Sequence, residues 1–156
     1  MWFALAAVAV LVVVPAVVAR RRLVVVQVSG VSMAPTFLPG DRVLVRRTSA
    51  VRRGQVIVFE STRPGGWGTG PPRPPWAIKR VTALPGDPVP DDVAGAAKAG
   101  PGERVPERAL VVVGDGTSSA DSRVYGYLPA DRVLGVVVRR LSAGPSSPAP
   151  PDEPVS

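Results

Sequence analysis

The strongest constraint on the structure of this chain is the apolar segment formed by its first 19 residues. Residues 1–19 carry no charged side chain and are almost entirely apolar. At ~1.5 Å per residue, a helix of this length spans roughly 28 Å, close to the ~30 Å hydrocarbon core of a bilayer. A cleaved secretory signal is the competing interpretation, since Val17 and Ala19 fit the small-residue rule before a cleavage point. Because the basic segment that opens such signals is missing, we predict a retained transmembrane anchor over residues 1–19.

Basic residues are concentrated directly after this segment. The 156-residue chain has 19 Lys and Arg against 12 Asp and Glu, a formal net charge of +7. Eight arginines lie between positions 20 and 60, against only two acids. Aromatic residues do not interleave with them as in a nucleic-acid surface, so we expect anionic lipid headgroups as the partner and no nucleic acid. A solvated basic face is the alternative for any single arginine. The eight are Arg20, Arg21, Arg22, Arg42, Arg46, Arg47, Arg52 and Arg53.

The remainder of the chain alternates short valine-rich runs with turn sequences. Valine favours strands, and the 16 glycines and 19 prolines favour turns over long helices. We predict strands at residues 23–28, 42–46, 56–59, 77–83, 110–113 and 133–139. The fold class expected is mainly β, a sheet-rich, barrel-like domain over residues 20–141. Residues 64–75 and 88–101 are predicted as loops or disorder, and the Pro/Ser-rich residues 142–156 as a disordered tail.

The chain contains neither histidine nor cysteine, which excludes several kinds of site. Ser-His-Asp triads, cysteine nucleophiles and the usual Cys/His zinc sites all require residues that are missing. A serine nucleophile would then need another proton acceptor, and a buried lysine can serve. Lys79 lies in a predicted strand on the same face as Ala77 and Val81, where desolvation would favour its neutral amine. The alternative is a surface lysine on an edge strand.

Ser32 is the candidate nucleophile. It follows an apolar strand and precedes Pro35, where the strand breaks and the serine amide is available to an oxyanion. A serine in such a loop is otherwise simply a turn residue.

Four segments, in order, resemble the conserved boxes of bacterial type I signal peptidases, which are membrane-bound Ser/Lys endopeptidases. They are Gly30-Val31-Ser32-Met33-Ala34-Pro35-Thr36 with Gly40-Asp41-Arg42-Val43-Leu44-Val45; Arg53-Gly54-Gln55-Val56-Ile57-Val58-Phe59; Lys79-Arg80-Val81 with Leu84-Pro85-Gly86-Asp87; and Gly114-Asp115 with Ser119-Ala120-Asp121-Ser122-Arg123 and Gly126. The resemblance covers roughly residues 23–140. It implies the family's mainly-β catalytic domain on an N-terminal membrane helix.

The resemblance also implies roles for single residues. Ser32 matches the family nucleophile and Lys79 its general base. Ser119 matches a serine that orients the lysine amine, and Asp121 with Arg123 matches an ion pair that holds the loop of the site. Supporting positions beside the nucleophile are Gly30 and Met33.

The sequence departs from the family pattern at three places. Gly30 stands where some members have a serine that helps to bind the oxyanion. Gln55 replaces an acid that is frequent in the Arg-Gly-Asp box. The segment between Gly114-Asp115 and Ser119 is short and lacks the usual Asn and Arg residues, so this loop is expected to pack differently.

The function expected is that of a membrane-bound serine endopeptidase that cleaves signal peptides from exported precursors, with no cofactor and no metal. Alternatives are a maturation protease dedicated to one secreted protein and a catalytically inactive, membrane-anchored binding module. A self-cleaving repressor uses a similar serine and lysine, but it needs a DNA-binding head where this chain has an apolar segment.

Two arguments about orientation disagree. Arg20, Arg21 and Arg22 follow the apolar segment, so the positive-inside rule places the domain in the cytoplasm. Signal-peptide cleavage needs the domain on the extracytoplasmic side. We follow the resemblance and predict a single-pass cell-membrane protein with an extracytoplasmic catalytic domain.

Overall fold

The computed structural model describes residues 22–61 and 76–142, and strands dominate both parts. The seven strands of the sheet are β1 (Leu23–Gln27), β2 (Arg42–Arg47), β3 (Val56–Glu60), β4 (Trp76–Ala83), β5 (Ala109–Val113), β6 (Leu128–Pro129) and β7 (Val133–Ser142). Two short helices, α1 (Asp91–Ala97) and α2 (Ser122–Tyr125), flank β5 along the chain, and a 3-10 turn (Ala130–Arg132) precedes β7. All six predicted strands are confirmed, and within the described residues the two-residue β6 is the one addition.

Three sequence predictions concern residues outside these described ranges. They are the anchor at residues 1–19, the loop at 64–75 and the tail at 142–156, apart from Ser142. Ser142, the first residue assigned to the tail, instead ends β7 and pairs with Arg42. In the described ranges, 22–61 and 76–142, no helix has both the length and the apolar character needed to cross a bilayer.

The sheet is antiparallel throughout and has the strand order β1-β2-β7-β3-β4-β5-β6. β1 and β6 form its two edges, so the barrel-like prediction is realised as an open, curled sheet. The last strand, β7, lies between β2 and β3 and joins the two halves. The mainly-β fold class is confirmed.

The first four residues of strand β3 are all apolar, and they are buried on both faces of the sheet. Val56 and Val58 pack in one cluster, which includes Met33 and Val43, whereas Ile57 and Phe59 pack in a second cluster on the opposite face. Each fully buried valine or isoleucine contributes about 1.5–3 kcal/mol relative to exposure. These clusters fix β3 and its neighbour β4 at the centre of the domain.

Helix α1 corrects one prediction, because residues 88–101 were expected to be loop or disorder. Pro90 precedes the first turn, Asp91 and Asp92 lie where carboxylates favour the helix N-terminus, and Val93 is fully buried. The helix ends at Lys98, whose backbone is left-handed. The alanine-rich sequence has helix propensity, and burial of Val93 against Ala83 and Val111 supplies the packing.

Candidate active site

The structure brings Ser32 and Lys79 into direct contact. Ser32 lies in the loop between β1 and β2, and Lys79 lies in the middle of β4. The Lys79 Nζ atom is 2.6 Å from the Ser32 Oγ atom, which is hydrogen-bond distance. Forty-seven residues separate the two in the chain, so the fold alone creates this pair.

Lys79 is buried, with only 5% of its surface exposed. Its cross-strand partner Ile57 and its same-face neighbour Val81 are both fully buried, as the two-residue period of β4 predicts. Burial lowers the pKa of Lys79 because it disfavours the ammonium form, while the Asp121 carboxylate opposes the shift. In its neutral form this amine is a proton acceptor within reach of the serine hydroxyl.

The loop after β5 lies against the backbone of Ser32, the candidate nucleophile. The Gly116 N–H donates a 3.0 Å hydrogen bond to the Ser32 carbonyl oxygen. A Cβ atom on Gly114 would lie 2.4 Å from that same oxygen and 2.2 Å from the Ser119 Oγ. A Cβ on Gly116 would lie 2.5 Å from the Val31 carbonyl oxygen. Both positions therefore require glycine for this close approach.

Asp115, between these two glycines, ties together the segments that carry the dyad. It accepts hydrogen bonds from Arg80 Nε (2.9 Å) and Nη2 (2.6 Å), and Arg80 follows Lys79 directly. It also accepts a 2.5 Å hydrogen bond from the Thr36 hydroxyl in the Ser32 loop. The Arg80 guanidinium, together with Thr36, holds the pKa of Asp115 below its usual range, although partial burial opposes this. Asp115 stands in one of the four segments quoted above, but no local sequence signal marks its contact with Thr36, which is 79 residues away.

Asp121 and Arg123 form the ion pair that the resemblance implies. Arg123 Nη2 lies 2.7 Å from Asp121 Oδ2, and the carboxylate also accepts a 2.9 Å hydrogen bond from the Gly114 N–H. Asp121 is fully buried and caps helix α2. Burial alone would raise the pKa of Asp121, but the hydrogen bonds from Arg123 and Gly114 outweigh it and hold the pKa well below the usual range. The charged carboxylate thus anchors the loop that contacts Ser32.

Ser119 lies at the same place. Its Oγ is buried near the Asp121 carboxylate, and the hydroxyl helps to hold the pKa of Asp121 below its usual range. No hydrogen bond joins this hydroxyl to the Lys79 amine, so the orienting role of Ser119 stays a prediction.

Comparison with known proteins places the chain in a family. Residues 1–94 match the family model described as "Signal peptidase, peptidase S26", a segment that contains both Ser32 and Lys79. The chain belongs to this family. Two curated relatives are each 32% identical to it over 70% of its length: "Probable signal peptidase I-1" of Synechocystis sp. and "Signal peptidase I" of Leptolyngbya laminosa. The chain spans 66% and 64% of their lengths, just under two thirds.

A solved structure was also found. It is the crystal structure of a signal peptidase I from Enterococcus faecalis V583, at 23% identity and a TM-score of 0.36, and the match covers 56% of this chain and 96% of that one.

The supporting residues of this family member differ in what they contribute. Met33 follows Ser32 directly, and its side chain is fully buried in the cluster that contains Val43. This burial anchors the Ser32 loop to the core. Gly30 has a φ of +85°, a backbone conformation that favours glycine, and open space where a Cβ would lie. Gly30 thus provides a turn and no hydroxyl.

Arg140 on β7 is a further contact to the nucleophile loop that sequence analysis missed. Its Nε lies 3.1 Å from the buried Asp41 carboxylate, and Nη2 donates a hydrogen bond to the Thr36 carbonyl oxygen. Its guanidinium also lies 5.3 Å from the centre of the Phe37 ring, a cation-π distance. No local sequence signal marks this arginine, because it is 104 residues from Thr36.

Proposed function

We propose that this chain is a membrane-anchored serine endopeptidase that cleaves signal peptides from exported precursors with a Ser32/Lys79 dyad. The observation that carries the proposal is the 2.6 Å contact between Ser32 Oγ and a buried Lys79 Nζ. Membership of the signal peptidase family supports the reaction class. An inactive binding module would have no need to keep a lysine buried against a serine hydroxyl.

The reaction begins at the serine hydroxyl. Ser32 Oγ attacks the carbonyl carbon of the scissile peptide bond as its proton passes to the neutral Lys79 amine. The Ser32 N–H, which has no acceptor among the described residues, is available to the oxyanion. Because Gly30 brings no hydroxyl to that position, the protein supplies the oxyanion chiefly with this one amide.

Bond cleavage and turnover use the same lysine. The Lys79 ammonium returns its proton to the departing amine, which leaves as the new N-terminus of the mature protein. Lys79, neutral again, then takes a proton from water as the water oxygen attacks the acyl-serine, and Ser32 is regenerated. Each proton that Lys79 accepts is passed on, so the cycle needs no histidine.

The dyad is tested by Ser32→Ala and Lys79→Ala in the full chain. Each should lower the single-turnover rate of precursor cleavage by about 10³-fold or more, and the double variant should be no slower than either single one, because the residues act as a unit. Matched controls are the exposed Ser118→Ala and Lys98→Asn, since asparagine tolerates the left-handed backbone of Lys98. Full cleavage by either purified dyad variant would overturn the assignment.

The orientation is tested separately. We propose a single membrane span with an extracytoplasmic catalytic domain, which is where precursors present their cleavage sites. Protease added to intact, wall-stripped cells should then degrade the chain after Arg22, while a cytoplasmic marker stays whole. Protection of the domain until the membrane is permeabilised would place it in the cytoplasm and remove the proposed substrate class.

A further inference from the structure

An open cavity of about 310 Å³ is formed by the end of β2 and the loop that connects β2 to β3 along the chain. Its lining is Arg46, Thr48, Ala50, Val51, Arg52 and Gln55, none of which belongs to the dyad or its supporting loops. We propose that this cavity binds the phosphate of an anionic phospholipid headgroup. The inference rests on the membrane anchoring proposed above, but it does not depend on peptidase activity.

The position of the cavity favours a lipid as the source of the phosphate. Arg46 pairs with Leu23 at the start of β1, and the Arg47 N–H donates a 2.7 Å hydrogen bond to the Arg22 carbonyl oxygen. Arg22 is only three residues beyond Ala19, where the apolar segment ends. Three residues reach at most ~11 Å. The entry to the sheet, and the cavity beside it, therefore lie within reach of the headgroup layer.

The two arginines of the cavity have no acidic partner in the described part of the chain. Among residues 22–61 and 76–142, no carboxylate lies within ion-pair distance of Arg46 or Arg52. Other arginines of the domain do have acidic partners: Arg53 pairs with Asp87, and Arg80 with Asp115. A guanidinium binds phosphate oxygens through two parallel N–H bonds, so two unpaired guanidinium groups on one cavity form a phosphate-binding arrangement.

The loop that forms the cavity is held in place before any ligand binds. The Ala50 N–H donates to the Thr48 hydroxyl (3.1 Å), and the Arg52 N–H donates to the Gln55 side-chain oxygen (2.9 Å). Val51 packs against the second core cluster. Because the backbone is already ordered, little conformational entropy is lost on binding.

The test uses the full chain in dodecyl maltoside micelles, followed by NMR of its backbone amides. Dihexanoyl phosphatidylglycerol is the probe, and dihexanoyl phosphatidylcholine and inorganic phosphate are the two comparison ligands. The phosphatidylglycerol should give saturable shifts at Ala50, Val51 and Gln55, whereas phosphatidylcholine should give none. The variant Arg46→Gln/Arg52→Gln should bind about 30-fold more weakly.

A charge-matched control is Arg108→Gln/Arg132→Gln, which removes two arginines from the β5–β7 end of the domain and should leave the affinity unchanged. Equal weakening in both double variants would mean that only net charge matters, and would overturn the site. Inorganic phosphate bound as tightly as the lipid would make it a free-anion site instead. If alkaline carbonate released the chain from membranes while phosphatidylglycerol still bound to it, the headgroup site would stand and the membrane-anchoring proposal would be wrong.

Discussion

Replacing Gly114 with alanine tests how tightly the loop after β5 is fitted to the backbone of Ser32. The added Cβ would lie 2.4 Å from the Ser32 carbonyl oxygen, where ordinary contacts begin at about 3.4 Å. One of the two backbone segments must therefore move by about 1 Å. We expect a loss of about 1–3 kcal/mol in the free energy of unfolding. We also expect cleavage of a precursor peptide to slow by about 10²-fold, the effect of misplacing a catalytic group by this distance.

The matched control is Gly95→Ala in helix α1, where a Cβ meets nothing within 4 Å. Alanine is the better helix former, so this variant should gain about 0.5–1 kcal/mol and cleave at the normal rate. Urea unfolding of the full chain and single-turnover cleavage, measured on both variants, give the comparison. If Gly114→Ala were as stable and as active as Gly95→Ala, the close packing of this loop on Ser32 would be refuted.

Two further predictions concern Lys79 and the loop that faces it. Because burial lowers the pKa of Lys79 in the folded state only, the unfolded chain binds the extra proton between that lowered pKa and the ordinary value of 10.5. The free energy of unfolding should therefore rise with pH between the lowered pKa and the ordinary value, and Lys79→Met should remove this rise. The cleavage rate should rise as the pH passes through the lowered pKa. Flat profiles from pH 5 to 9 would contradict a neutral lysine. Asp121→Asn should cost roughly 1.5–3 kcal/mol of stability, since the buried carboxylate binds Arg123 and the Gly114 amide, whereas Ser119→Ala should lower the cleavage rate with little change in Tm. The reverse ordering in thermal melts would show that Ser119 is the structural residue.

The contact between Ser32 and Lys79 could be anticipated from sequence because few residues compete for these two positions, and their catalytic roles stay a prediction. The chain has no histidine and only two lysines, and only Lys79 lies in an apolar strand. The valine runs likewise locate the strands, since segments containing glycine or proline separate one run from the next. Taken alone, Ser32 could be a turn residue and Lys79 a surface residue. The order of the four segments that resemble the family's motifs is what favoured the two as a pair.

The contacts that support the dyad could not be predicted in this way. Asp115 meets Arg80 across 35 residues and Thr36 across 79, and Arg140 meets Thr36 across 104. Such pairs depend on strand order, which a single sequence does not encode locally. Helix α1 was missed for a related reason: Pro90, Gly95 and Gly100 suggest a loop, and only the burial of Val93 favours the helix.

The central place of β7 has a consequence for the time at which the dyad can form. The Ser32 loop belongs to the β1–β2 half of the sheet and Lys79 to the β3–β6 half, and β7 is the strand that joins them. A chain made from its N-terminus completes both halves before residues 133–142 exist. The sheet that aligns Ser32 and Lys79 therefore closes only after those residues have emerged, and a nascent chain that ends before residue 133 lacks the strand that joins their two halves.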